Sequence, residues 1–165
     1  MIIIALGANL DSHHGAPPET IEAAIQAIQS AGIKLITSSN IYKTAPVPFD
    51  PDQPWYHNAV IEVETERSAH ELLQALLNIE EDFGRVRTVK NAPRVLDLDL
   101  IAYQDQIIKD NDTLIVPHPR MHERLFVLKP LSDISKQWKH PVLDQTVEQM
   151  IGNLPEGQEI ELWQP

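Results

Sequence analysis

The chain has 165 residues, 42% hydrophobic and 22% charged, a composition that builds a packed core and excludes a disordered polymer. Acidic residues outnumber basic ones 24 to 13, and the formal charge of −11 disfavours a nucleic-acid groove unless the cations cluster. There is no cysteine, which removes disulfides, thiolate nucleophiles and cysteine-based zinc sites, and no stretch approaches the roughly 18 to 20 apolar residues that span a bilayer.

Residues 2–6 form an apolar, isoleucine-rich run, as expected of a strand covered on both faces. The run lacks a basic leader and stops at Gly7-Ala8-Asn9-Leu10-Asp11, so it reads as a strand and a small-residue turn, not as a signal peptide. Pro17-Pro18 start a helix carrying Ile21, Ile25 and Ile28, which Gly32 closes. Residues 33–42 are extended. Residues 44–54 hold four prolines (Pro46, Pro48, Pro51 and Pro54) and exclude a regular element; a loop of this length is usually functional or disordered.

Residues 58–65 alternate as a strand. Ser68 and Glu71 form a capping box for a helix with Leu72, Leu73, Leu76 and Phe83 on its apolar stripe and Gly84 at its end. Residues 95–103 are the clearest strand, and Gln104-Asp105-Gln106 predicts a hairpin towards Ile107-Ile108. Residues 121–131 carry Leu125, Leu128 and Leu131 at helical spacing, with an interruption at Pro130. A last helix is predicted over residues 142–154 and a short strand over 160–163. The mixture without βαβ regularity points to an α+β fold with a mostly antiparallel sheet, as a single domain over residues 1–165 in the cytoplasm.

Asp97-Leu98-Asp99 is the sharpest chemical feature. Residues i and i+2 of a strand point to one face, so the two carboxylates converge while Leu96, Leu98 and Leu100 face a core. Such a pair suits Mg²⁺, which is typically held by one or two carboxylates and phosphate oxygens; the alternative is a solvated strand face. Just upstream, Arg85, Arg87, Lys90 and Arg94 form the basic cluster of this acidic chain. Arginine forks match phosphate oxygens, although surface pairing with Glu80, Glu81 and Asp82 would also explain them. Neither Gly-x-x-x-x-Gly-Lys-Ser/Thr nor Gly-x-Gly-x-x-Gly occurs, so arginine and metal would have to hold any phosphate.

His118 is presented between Pro117 and Pro119, with Arg124 six residues on; His13-His14 reads as incidental loop. Glu80 shares a helix face with Leu73 and Leu76, and a carboxylate there either pairs with an arginine or reaches a site. Tyr56, Asn58 and Phe126 offer an amide between aromatic plates, which suits a flat heterocycle and equally suits a core.

In order and rough spacing, Leu6-Gly7-Ala8-Asn9-Leu10, Tyr42-x-Thr44-x-Pro46, Gln53-Pro54-x-Tyr56-x-Asn58, Ile79-Glu80, Gly84-Arg85-x-Arg87, Pro93-Arg94-x-Leu96-Asp97-Leu98-Asp99 and Val116-Pro117-His118-Pro119-x-Met121-x-x-Arg124-x-Phe126-x-Leu128 resemble the 6-hydroxymethyl-7,8-dihydropterin pyrophosphokinases of folate biosynthesis. The resemblance runs from about residue 6 to about residue 134, and the tail from Ser135 carries nothing diagnostic. It implies a ferredoxin-like fold and transfer of diphosphate from ATP to the pterin hydroxymethyl group, releasing AMP.

It further implies that Asp97 and Asp99 hold two Mg²⁺ ions and that Arg85 and Arg94 stabilise the transferring diphosphate. Glu80, Arg87, His118 and Arg124 would serve the ATP site. Thr44, Pro46, Val47 and Asn58 would bind the pterin edge, and Tyr56 and Phe126 would sandwich its ring. There are three departures from the family pattern: Asn91-Ala92 replace a Trp-Gly in the loop that closes over the site, Pro48 replaces a glycine, and Pro119 replaces a tyrosine. The expected partners are ATP and the pterin, with no nucleic acid and no membrane, and the expected state is a monomer. A binder without turnover and a metal-dependent enzyme acting on polynucleotide are the competing readings. The intact Asp pair with Arg85 and Arg94 opposes the first, and the charge of −11 opposes the second.

Overall fold

Residues 2–8 are buried at every position because this strand lies inside the sheet and is covered on both faces. The computed structural model describes residues 1–84, 95–111 and 113–165. In chain order it contains β1 (Ile2–Ala8), α1 (Pro17–Ser30), β2 (Lys34–Ser38), β3 (Tyr42–Thr44), β4 (Tyr56–Glu64), α2 (Ala69–Asp82), β5 (Asp97–Tyr103), β6 (Ile108–Asp110), β7 (Leu114–Val116), a 3-10 turn (Met121–Glu123), α3 (Leu125–Ile134), α4 (Val147–Gly152) and β8 (Ile160–Leu162).

The main sheet runs β5-β1-β4-β3-β8, with β2 sharing the outer edge of β4, and its pairings are antiparallel. Ile2, Ile4 and Leu6 of β1, Ala59, Ile61 and Val63 of β4, and Leu98 and Leu100 of β5 pack against α1 and α2. Ile3, Ala5, Val60, Ile101 and Ala102 point the other way, onto Met121 and the buried faces of α3 and α4. Each fully buried Ile or Leu contributes about 1.5–3 kcal/mol, so this two-sided alternation fixes the register. The result is an α+β sandwich of the ferredoxin-like kind. Among the described residues, no helix is long and apolar enough to cross a membrane.

Local signals read from the sequence form as written. Pro17 and Pro18 occupy the first turn of α1, and the Ser68–Glu71 capping box has both of its hydrogen bonds. Gly84, just past α2, has φ +89°, a conformation that favours glycine.

Three predictions are corrected. Gln104–Gln106 does turn, with the Gln106 amide on the Tyr103 carbonyl at 3.1 Å, but β6 pairs with β7 and forms no hairpin with β5. Ile108 is drawn instead against the α1/α2 core, where it is partly buried. Pro130 does not interrupt its helix: α3 continues through it to Ile134, and the break falls at Arg124, between the 3-10 turn and α3. The last helix is shorter than residues 142–154. Thr146 and Gln149 form a second capping box that starts α4 at Val147, and Val142 and Leu143 lie exposed in the preceding turn.

Candidate active site

The site grows from one row of residues across the sheet. Gly7 of β1 stands opposite Asp97 of β5 on one side and Asn58 of β4 on the other, and Asn58 stands opposite Tyr42 of β3. Directly paired residues share a face, so Asp97, Asn58 and Tyr42 face the same side as Asp99, which lies opposite Ala5. That is the α3 side. Leu96, Leu98 and Leu100 are buried on the α1/α2 side, as the i, i+2 argument requires.

A β-bulge completes the arrangement. The register with β1 jumps from Leu100 to Ala102, leaving Ile101 as the extra residue. Beyond the bulge Tyr103 returns to the α1/α2 side, where its hydroxyl donates to the Arg67 carbonyl. The Ile101 carbonyl accepts the His118 amide at 2.8 Å, which ties the Pro117-His118-Pro119 segment to the strand carrying both aspartates.

One cavity gathers most of the predicted residues. Thr44, Pro46, Val47, Tyr56, Asn58 and Phe126 line it together with Asp97, Asp99 and Arg124. Asn58 is 7% exposed and its Oδ1 accepts the Thr44 hydroxyl, so the amide nitrogen is turned towards Gly7. A Cβ on Gly7 would lie 2.8 Å from Asn58 Nδ2; glycine is what leaves that amide its place. The Arg124 guanidinium sits 5.4 Å from the centre of the Phe126 ring, a cation–π contact that orients both.

Glu80 is 1% exposed, and its Oε2 accepts the Leu98 amide at 2.7 Å, so it holds the edge of β5 between the two aspartates. Its carboxylate is not part of the cavity wall. Neither is His118, whose Nδ1 accepts the Arg120 amide at 3.1 Å. Burial, reinforced by the Arg124 charge and opposed by Asp97, pushes the His118 imidazole down to about 4. It is therefore neutral at pH 7. The predicted Arg85, Arg87, Lys90 and Arg94, and the Asn91-Ala92 departure, lie outside the described residues.

Sequence reasoning named three further residues without giving them a place in the site. Gln53 and Pro48 line the cavity, and Asn9, 3% exposed, donates from Nδ2 to Gln53 Oε1 at 3.3 Å and to the Pro54 carbonyl at 3.2 Å. Asn9 thus anchors the proline-rich loop to the end of β1. A buried amide just after a strand was the available signal.

The donor set of Asp97 and Asp99 is hard oxygen on one strand face, which fits Mg²⁺ with further ligands from phosphate or water. Among the described residues no cluster of three or more His, Cys, Asp or Glu side chains exists to form a closed all-protein cage. The cavity joins an oxygen-donor end on β5, with Arg124 beside it, to an amide and aromatic end on β3, β4 and α3, chemistry suited to a cation-bound phosphate and a flat heterocycle side by side.

Comparison with known proteins agrees with that class of site. The family model for 7,8-dihydro-6-hydroxymethylpterin-pyrophosphokinase (HPPK) matches residues 3–136. The chain is 44% identical over 133 residues to the 2-amino-4-hydroxy-6-hydroxymethyldihydropteridine pyrophosphokinase of Haemophilus influenzae, covering 80% of this chain and 79% of that protein. It is 43% identical over 141 residues to the folic acid synthesis protein fol1 of Pneumocystis carinii, covering 86% of this chain but only 18% of that longer protein. The fold matches crystal structures of Plasmodium falciparum HPPK-DHPS with a TM-score of 0.68 at 14% identity, over 92% of this chain and 44% of that one. The chain belongs to the HPPK family.

Proposed function

We propose that this chain transfers a diphosphate from ATP to the hydroxymethyl group of 6-hydroxymethyl-7,8-dihydropterin, giving the pterin diphosphate and AMP, as a step of folate biosynthesis. The observation that carries the proposal is the single cavity in which Thr44, Tyr56, Asn58 and Phe126 share a wall with Asp97 and Asp99. Asn58 and Thr44 supply hydrogen-bonding edges for the pterin, with Pro46 and Val47 closing that edge and Tyr56 and Phe126 flanking the ring. Arg124 and His118 lie on the Asp97 side and, with Glu80 behind β5, serve the ATP site; Arg87 belongs to the same group by family resemblance.

In the transfer, the pterin hydroxyl oxygen bonds to the β-phosphorus of ATP, the bond from that phosphorus to the α–β bridging oxygen breaks, AMP leaves and the hydroxyl proton is released. No protein nucleophile is required. The chain's residues hold the two substrates in line and complement the charge, a role assigned also to Arg85 and Arg94. Asp97 and Asp99 would hold Mg²⁺, two ions by resemblance, which when bound neutralises charge on the ATP phosphates. The cavity and the charge of −11 support small-molecule substrates in place of nucleic acid; a monomer in the cytoplasm without a membrane partner completes the proposal.

The test is to incubate the protein with ATP, Mg²⁺ and 6-hydroxymethyl-7,8-dihydropterin and identify the nucleotide product. AMP formed only when pterin and metal are both present is the expected result. ADP would replace the proposal with one-phosphate transfer. Pterin binding without nucleotide turnover would make the chain a binder.

A further inference from the structure

The family match ends at residue 136, yet residues 157–160 line a second cavity that shares Thr44, Ala45 and Phe126 with the first. β8 pairs with β3, placing Ile160 opposite Thr44 and Leu162 opposite Tyr42. The ladder extends at each end: the Ala45 amide donates to the Glu159 carbonyl at 3.2 Å, and the Trp163 amide to the Ile41 carbonyl at 2.9 Å. One residue before Glu159, Gln158 turns to the opposite wall. Its Oε1 accepts the Leu125 amide at 2.9 Å, and its Nε2 donates to the Glu123 carbonyl at 2.9 Å.

The first amides of a helix have no partner within it, and the Arg124 side chain, at the N-cap of α3, makes no capping bond. Gln158 supplies that cap from 33 residues away in sequence. The turn it caps carries Arg124 and Phe126, and the strand beside it ends at Thr44 and is followed by Ala45. The second cavity lies between these walls, lined by Thr44, Ala45, Leu125 and Phe126 and closed by Gln158 and Ile160. The far end of α3 is tied to the same strand independently, by the Tyr42 hydroxyl donating to Asp133 at 2.9 and 2.8 Å. β8 itself buries little, with Ile160 half-buried and both Glu161 and Leu162 exposed, so its contribution is placement more than core.

We infer that Gln158 is a positioning residue. As the remote cap of α3, it sets the width of the slot between Phe126 and the Thr44–Ala45 wall and thereby the affinity for the pterin ring. The inference rests on the pterin reading of the first cavity, whose wall Thr44, Ala45 and Phe126 also form.

The experiment compares wild type, Gln158→Ala and Gln158→Glu by titration with 6-hydroxymethyl-7,8-dihydropterin and by amide hydrogen exchange of the unliganded full chain. Gln158→Ala is expected to weaken the pterin by about five- to tenfold, the effect of losing one cap bond. It should also speed exchange at Leu125 and Phe126 while leaving Ile61 in β4 protected. Gln158→Glu keeps an acceptor for the Leu125 amide and is expected to recover most of the affinity.

Unchanged pterin affinity in Gln158→Ala, equal losses in both variants, or faster exchange spread across the whole sheet would each overturn the inference. If wild type itself fails to bind the pterin, the functional reading falls, and so does the claim that the slot is tuned for that ring. The exchange arm then still decides the cap, which stands only if acceleration in Gln158→Ala is confined to the start of α3.

Discussion

Under α1 and α2 the sheet presents one continuous apolar core across β1, β4 and β5, whereas the face under α3 and α4 changes character partway along. On the first, Ile4, Leu6, Ile61, Val63, Leu98 and Leu100 lie in one continuous core. On the second, Ile3, Ala5, Val60 and Ile101 give way to Asp97, Asn58 and Tyr42 in the next row. The strands are the same; what differs is how far the helices reach. α3 begins only at Leu125, so its first turn forms a wall of the polar cavity and leaves the rest of that face open to substrate. The uninterrupted face supplies rigidity, and the interrupted face uses it to hold charges and amides in register.

The sharpest way to break this division is at its most polar point. Asp97→Ala and Asp99→Ala are each expected to reduce turnover at least about a thousandfold, as loss of preorganised charge stabilisation does. Thermal unfolding should stay near that of wild type, because both side chains are only half-buried. Steady-state AMP release alongside a melting curve checks it, and a near-normal rate with Mg²⁺ would remove the aspartates from the site.

Next in size is a contrast between the two faces. Ile61→Ala, in the apolar face, should cost about 2–5 kcal/mol of stability and leave the turnover of folded protein unchanged. Glu80→Ala should cost about 1–3 kcal/mol by orphaning the Leu98 amide, and it should also lower turnover, because that amide lies between the two aspartates. Chemical denaturation and activity measured on the same samples separate the two. Equal catalytic losses would mean that the faces do not divide their work.

A smaller effect is expected at Gly7→Ala. The added Cβ would meet Asn58 Nδ2 at 2.8 Å and displace the amide, weakening pterin binding by about tenfold with little loss of stability. Pterin titration tests this, and unchanged affinity would show that the Asn58 amide is not a pterin contact.

Legibility in the sequence followed the same division. The continuous apolar run of residues 2–6, the Ser68–Glu71 capping box and the leucines flanking Asp97 and Asp99 are local signals, and each forms as read. Misreadings arose where a tertiary choice overrode a local one. Ile107-Ile108 looked like the return strand of a hairpin, but burying Ile108 against the α1/α2 core and pairing β6 with β7 won. The end of the α4 segment looked helical back to Val142, but the Thr146–Gln149 cap starts it later. The bulge at Ile101 and the amide bridges of Asn9 had no periodic signature, since each depends on a partner far along the chain. The six residues proposed to wall the pterin were legible as a set only through family resemblance, because spacing alone could not distinguish aromatic plates from core.

His118 offers the finest test of how the polar rim is balanced. Its imidazole is lowered to about 4, first by burial and then by Arg124, so the folded protein holds it neutral while the unfolded chain protonates near the ordinary value of 6.5. Between about pH 6.5 and 4 the unfolded state therefore binds more protons. Stability contributed by neutral His118 is present in full above pH 6.5 and is lost as pH falls through that window. His118→Gln cannot be protonated and should flatten that part of the stability–pH curve, with a relative gain at pH 4 of up to about 3 kcal/mol. Urea unfolding of both proteins at pH 4.5 and pH 7.5 measures it. A parallel offset at both values would mean that the imidazole is not held neutral by its surroundings. Asp97 would then dominate over burial and Arg124, and the two ends of the rim would be coupled more tightly than their separation on β5 and the Pro117–Pro119 segment implies.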